Sequence, residues 1–248
     1  MSGSIKIFRM IMAAILASIS MLSASDITIK NIQEILNGSE FTQVGGGLIQ
    51  NMQVAPFNND LVSFEVTYDN DPTIKLFLFN LKTKNIFQVE SEAYAGGTSK
   101  SKRRYYLKDK GLHWHPYKNW FVFYGNGMGN RDQLYVCRVI VPELINNFAV
   151  NGYRIRLDEN AKLEKSKLID PSFDMTGDRI VFSRKVQKRD KKAKYNRSYN
   201  LCMIKDVFNY KDSKFKNVAF ETILDKRYDQ NSASCSPSDK GLVAFISY

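Results

Sequence analysis

One pattern returns four times along the chain and limits its fold more than any other feature. The copies are VAPFNNDLVSFEV at 54–66, HWHPYKNWFVFYG at 113–125, PSFDMTGDRIVFSR at 171–184 and SASCSPSDKGLVAFIS at 232–247. Each joins a small or aromatic residue to a polar turn and then to an apolar run containing Phe64, Phe123, Phe182 or Phe245, spaced by 59, 59 and 63 residues. A near-constant period of this kind means that one supersecondary unit is stacked on itself.

Each of the first three copies is followed by an alternating run, at 74–81, 132–139 and 199–206, and by a shorter one, at 85–89, 152–157 and 217–224. Runs of this length, rich in Val, Ile, Tyr and Phe, read as strands. With 12% aromatic residues and only 14 Gly and 6 Pro in 248 residues, the composition suits half-buried pleated surfaces. The values of 44% hydrophobic and 25% charged residues exclude wholesale disorder and a collagen-like fibre. The expectation is an all-β chain of consecutive four-stranded antiparallel sheets, a β-propeller with about four recognisable repeats over 49–248. The segment 140–152, with Pro142 and a helix-compatible stretch, interrupts the second unit.

The copies CSPSDKGLVAFIS, FDMTGDRIVFS and WHPYKNWFVF resemble the W-S-P-D-G-x-x-I-A-F repeat of the TolB-type propeller family, and DQLYV resembles its D-L-Y-V strand. The resemblance runs from about 54 to 248 and implies a propeller fold. It specifies fold far better than function, because the same unit serves binding proteins and peptidases alike. The large α/β domain that precedes the propeller in TolB has no counterpart in 26–48. The fourth copy stops after its second strand, so the last blade is either incomplete or closed by N-terminal strands. FTQVGGGLIQNMQV at 41–54 is the candidate closing segment. An unclosed ring would leave bare strand edges, and an oligomer joined through them is the alternative.

Lys6 and Arg9 precede the apolar run Met10 to Leu22, and Ser23-Ala24-Ser25 follows. That arrangement reads as a signal peptide, 1–25, cleaved between Ser25 and Asp26, and places the product in the periplasm or outside the cell. The run is too short to span a bilayer, so no membrane span is expected after cleavage. The full chain carries a net charge of +11. In an exported protein such a charge points to an acidic protein or envelope component rather than to nucleic acid.

Two segments hold much of that charge, SKSKRRYYLKDK at 99–110 and KVQKRDKKAKYNR at 185–197, with thirteen basic residues against Asp109 and Asp190. The first joins blade one to blade two and the second joins strands two and three of blade three, so propeller topology puts both on one face. The candidate binding residues are Lys100, Lys102, Arg103, Arg104, Lys188, Arg189, Lys191, Lys192, Lys194 and Arg197. Tyr105, Tyr106 and Tyr195 are interleaved for stacking or cation–π contact. The alternative is that both are solvated, mutually repelling insertions.

Catalytic chemistry finds little support. His113 and His115 would project from one face of a first strand, but a catalytic zinc needs a third ligand and no further His exists. In the other reading His115 hydrogen-bonds its own turn beside a core Trp114. There is no G-x-S-x-G elbow, and Gly45-Gly46-Gly47 lacks the G-K-[ST] of a phosphate loop. Asp174, Asp178 and Asp239 belong to first-to-second turns, where Asp accepts backbone hydrogen bonds. Cys137, Cys202 and Cys235 are spaced for neither zinc nor a disulfide framework and read as small buried hydrophobes. No catalytic residue, metal or cofactor is assigned. The expected function is a non-enzymatic, exported, TolB-like binding module. The alternatives are a polysaccharide-active or metal-dependent propeller enzyme, or part of a longer propeller protein.

Overall fold

The computed structural model describes residues 47–69, 71–94, 108–127, 132–140, 149–157, 167–187, 197–224, 230–235 and 243–247. The segments proposed as signal peptide, 1–25, and as most of the N-terminal segment, 26–46, lie outside them.

Three antiparallel meanders follow one another along the chain. The first sheet holds β1 (Leu48–Ala55), β2 (Asn58–Tyr68), β3 (Asp71–Asn80) and β4 (Ile86–Val89), and the one-turn helix α1 (Ser91–Tyr94) leaves it. The second holds β5 (Lys110–Trp114), β6 (Trp120–Gly125), β7 (Gln133–Ile140) and β8 (Ala149–Arg154). The third holds β9 (Leu168–Phe173), β10 (Ile180–Gln187), β11 (Arg197–Ile204) and β12 (Glu221–Leu224), with a 3₁₀ helix, Val207–Tyr210, between the last two. A two-stranded sheet of β13 (Gln230–Cys235) and β14 (Val243–Ser247) follows. In every sheet strand order equals chain order, so each repeat is one local unit. The expected all-β architecture of four-stranded units is what forms.

Three strand assignments move. Residues 48–54, expected to close the last blade, instead pair antiparallel with β2, from Leu48 opposite Thr67 to Val54 opposite Val62. They are the first strand of their own sheet, because the turn at Pro56-Phe57 folds them back on the adjacent apolar run. The fourth strand of the second sheet begins at Ala149, and Ile155 and Leu157 lie beyond it, with Leu157 bridging Val218 of the third sheet. The last strand of the third sheet starts at Glu221 rather than 217, because left-handed Lys214, Phe215 and Asn217 keep the preceding chain out of a strand.

The sheets stack face to face. Leu61, Leu76, Leu78 and Val89 of the first pack against Trp114, Phe121, Phe123, Tyr135 and Cys137 of the second. From the opposite face of the second, Trp120, Val122, Leu134 and Val136 meet Ile180, Phe182, Cys202 and Ile204 of the third. Val181 and Leu201 continue the order against Cys235. The second sheet is therefore buried on both faces, which is why β6 reads WFVFYG without polar alternation. At roughly 1.5–3 kcal/mol for each large apolar side chain removed from water, these layers are the main stabilising term.

Neighbouring sheets run in register. β5 enters beside the start of β3, where Asp109 N–H donates to Ile74 O at 2.9 Å. β9 enters beside the turn after β6, where Leu168 N–H donates to Asp132 O at 2.9 Å and Lys167 Nζ lies 3.3 Å from Asp132 Oδ2. One end of the stack thus collects the second-to-third turns and the entries of the first strands.

Candidate functional site

The first strand of each sheet carries a β-bulge opposite the repeated phenylalanine. In the first sheet Gln50 pairs with Glu65 and Gln53 with Ser63, leaving Asn51 and Met52 opposite Phe64. Gly111 and Leu112 lie opposite Phe123 in the second, Asp170 and Pro171 opposite Phe182 in the third, and Ser232 and Ala233 opposite Phe245 in the fourth. Asn51, Gly111 and Asp170 are left-handed, with φ of 53°, 66° and 52°. Two residues against one, with the first in the left-handed region, turns the strand and re-aims its side chains.

Those bulges receive links from the preceding sheet. Glu65, the residue after Phe64, is buried, and its Oε1 accepts the N–H of Gly111 at 2.7 Å while Oε2 accepts from Asn51 Nδ2 at 2.9 Å. Burial raises its pKa against these donors and the nearby Lys110, and Asp170 adds to the rise. Tyr124, the residue after Phe123, occupies the equivalent place and hydrogen-bonds Asp170 of the next bulge; burial foremost pushes its phenol pKa up. The Lys110 ammonium sits 5.4 Å from the Tyr124 ring centroid. A polar seam joining three sheets results, with its carboxylate and phenol already engaged.

The histidines belong to the same kind of linkage. His113 Nδ1 accepts the N–H of Phe173, on the third sheet, at 3.2 Å, and Ser172 Oγ accepts the N–H of Cys235 one sheet further on at 3.1 Å. His113 is thus an acceptor between sheets, and burial lowers its pKa. His115 lies just past β5, so the pair does not share a strand face as an H-x-H ligand set would. Its Nδ1 accepts the N–H groups of Tyr117 at 2.9 Å and Lys118 at 3.0 Å, the turn role expected of it. Trp114 beside it is in the core, with its indole N–H on Ser63 Oγ at 3.1 Å. Burial first, then Lys118, brings the His115 pKa down to about 4. Among the described residues no group of three or more His, Cys, Asp or Glu is arranged to hold a metal ion.

The turn aspartates divide. Asp174 Oδ1 accepts the N–H of Gly177 at 2.9 Å and of Arg179 at 3.3 Å, closing the β9–β10 turn. Asp178 is exposed, and in place of a side-chain cap its backbone carbonyl accepts the N–H of Val207 at 2.9 Å. Asp239 lies outside the described residues. All three cysteines are free and buried, and burial raises the pKa of Cys137 and brings that of Cys235 to about 11. At neutral pH Cys137 and Cys235 are thiols, and all three side chains are packed in cores.

Of the expected binding residues, Lys100, Lys102, Arg103, Arg104, Lys188, Arg189, Lys191, Lys192 and Lys194 lie outside the described residues. Arg197 opens β11 opposite Gln187, so its backbone belongs to the ladder rather than to a loop. Lys110 and Lys185, at the ends of the two basic runs, are also strand residues. The flanks of both runs are described: Tyr94 and Lys108 around the first, Gln187 and Arg197 around the second. They stand at the end of the stack where first strands enter.

Asp109 departs furthest from its reading as a solvated loop residue. It is 2% exposed, with Oδ2 accepting the N–H of Ser91 at 3.2 Å and Oδ1 without a hydrogen-bond partner among the described residues. Burial drives its pKa to about 6, and Glu90 and Glu92 add to the rise against the Ser91 hydrogen bonds. The carboxyl fastens α1 to the entry of β5 and so closes the base of the first basic segment. A charge run conceals such a residue; the signal available was the D-K-G-L-H-W entry into an apolar strand.

No family model matches the chain, and no curated protein matches it. Among solved structures, the crystal structure of TolB from Acinetobacter baumannii is similar with a TM-score of 0.41 and 11% identity, over 80% of this chain. The chain spans 37% of the length of that TolB chain.

Proposed function

We propose that the chain is a non-enzymatic, exported β-propeller module that binds an acidic surface, of a protein or an envelope component, through the end of the sheet stack bearing the two basic segments. The observation that carries the reading is the convergence of flanks: α1 and Lys108 on one side and the Gln187–Arg197 pair on the other stand at the same end. Chains leaving those four points carry Lys100 to Arg104 and Lys188 to Lys194. The propeller reading is supported by Phe64: its equivalents Phe123 and Phe182 each pack on the preceding sheet, and Phe64 is itself fully buried. The non-enzymatic reading is supported by the engagement of His113, His115, Glu65 and Asp174 in backbone hydrogen bonds that hold turns and sheets.

The test is binding of labelled polyglutamate to the chain and to a variant with Lys100, Lys102, Lys188, Lys191, Lys192 and Lys194 changed to Gln. Affinity is expected to fall about tenfold or more, and to fall with added salt in the parent, because such contacts are screened. The thermal midpoint is expected to stay where it was. Unchanged affinity in a folded variant contradicts the docking reading.

A further inference from the structure

The connection between β11 and β12 is far longer than its counterpart in the first sheet, where Leu81 to Asn85 suffice to link β3 to β4. It is also well anchored. Val207 and Phe215 are fully buried in the layer between the second and third sheets, and the Phe208 ring lies 5.4 Å from His115 and 5.3 Å from Trp120. Asp206, Lys214, Phe215 and Asn217 are all left-handed without being glycine, with φ between 48° and 56°. Each such residue costs free energy that the surrounding packing must offset, and such costs gather at ligand clamps.

This connection frames an open groove of about 270 Å³ on the outer part of the third sheet. Its large apolar lining side chains are Met203, Tyr210 and Phe220, all partly exposed. The phenol of Tyr210 is held in place by accepting the N–H of Ala219 at 3.2 Å and keeps its own proton for donation. Phe220 is steadied by the Arg184 guanidinium, 4.9 Å from its ring centroid. Lys205 Nζ and Glu221 Oε2, 2.8 Å apart, put a charged donor and a charged acceptor side by side on the rim, and Asp206 and Asn209 add acceptors and an amide.

We propose that this groove binds one neutral sugar ring, such as a glycan terminus. Its volume lies just below the range that holds drug-sized ligands and fits a single ring. An aromatic and thioether lining suits the apolar face of a pyranose. The adjacent donor and acceptor match a pair of neighbouring hydroxyls, one accepting from Lys205 and the other donating to Glu221, in charge-assisted hydrogen bonds. Lys205 and Glu221 balance each other, and the Asp206 carboxylate is a further acceptor for a hydroxyl. The groove is built from β11, β12 and the connection between them, so sugar binding there does not depend on the basic segments.

The experiment is a titration of the full chain with glucose and with N-acetylglucosamine, followed by NMR at the Met203 methyl and the Lys205–Asn209 amides, with a lysine dipeptide and inorganic phosphate as comparison probes. Saturable shifts from at least one sugar are expected, with a Kd of order 1 mM. They should weaken about tenfold in Asn209→Ala and in Glu221→Gln, at an unchanged thermal midpoint, because each change removes a hydrogen bond to the ligand. Absence of sugar-induced shifts in the parent overturns the proposal, as does an equal response in parent and variants. A response to the dipeptide or phosphate without one to sugar also overturns it, and assigns the groove to charged ligands instead.

Discussion

Asp109 and His115 are buried titratable side chains, and their ionisations pull stability in opposite directions. The folded pKa of Asp109 is raised to about 6. Its stabilising contribution is therefore complete below the unfolded value and is lost as pH rises through about 6. Asp109→Asn keeps the shape without the charge, so at pH 7.5 the variant is expected to be more stable than the parent, by about 2 kcal/mol. The gap should narrow steadily below pH 6 and close only below the unfolded value of 3.8; a variant less stable at pH 7.5 in thermal melts contradicts this account of the clasp. For His115 the folded pKa is lowered to about 4, so its contribution is present above 6.5 and is lost as pH falls towards 4. His115→Asn retains an acceptor for the turn but gives up ring packing against Phe173 and Phe208. It should be less stable at pH 7, with a deficit that shrinks steadily down to pH 4, and a constant deficit in melts across that range would rule out a buried neutral imidazole. The turn role of His115 was legible from its place in the repeat. That of Asp109 was not, because burial of a carboxyl depends on α1 folding back over it, and nothing in a run of lysines announces that contact.

At the level of elements, the bulges explain why the repeat has the form it has. Phe64, Phe123, Phe182 and Phe245 each lie opposite two residues of the first strand, and the first three are fully buried. The phenylalanines were visible in the sequence as a period, whereas the bulges were not. Their occupants, Asn51, Gly111 and Asp170, share a left-handed backbone rather than a side-chain type. The links across sheets were hidden for a similar reason: Glu65 and Tyr124, or His113 and Ser172, do equivalent work with different chemistry. Gly111 is the most exacting of these positions, since a Cβ there would run into the Tyr124 ring at a φ of 66°. Gly111→Ala is expected to destabilise by about 2 kcal/mol or more in urea titration, from the left-handed backbone and the displaced ring together. Phe123→Ala, which empties the layer between the first and second sheets, should cost about 3–5 kcal/mol. An Ala at 111 that costs nothing would mean that the bulge is not held in this conformation.

Across the described residues, three four-stranded sheets and a two-stranded one, stacked in chain order and joined by repeated hydrogen bonds, form a scaffold, and what it presents depends on which turns are elaborated. Strand count, order and stacking followed from local periodicity, because each meander pairs only neighbours in sequence. The role of residues 48–54 did not, since a strand preceding the first recognisable copy has no earlier copy to be compared with. The distribution of sites is the other property at this scale: the flanks of the basic segments stand at one end, while the groove bounded by Lys205, Asn209 and Glu221 belongs to an elaborated turn between the third and fourth strands. Antiparallel order sets third-to-fourth turns at the opposite end from second-to-third turns. Two different ligands at two ends are therefore compatible with one scaffold. The most direct measurement of the docking claim is amide hydrogen exchange on the full chain with and without saturating polyglutamate. Protection confined to 95–108 and 187–197, with no change at the turns 56–58, 115–119 and 174–179, is the result the account predicts. Protection centred on those turns, or spread evenly over both ends, would contradict it.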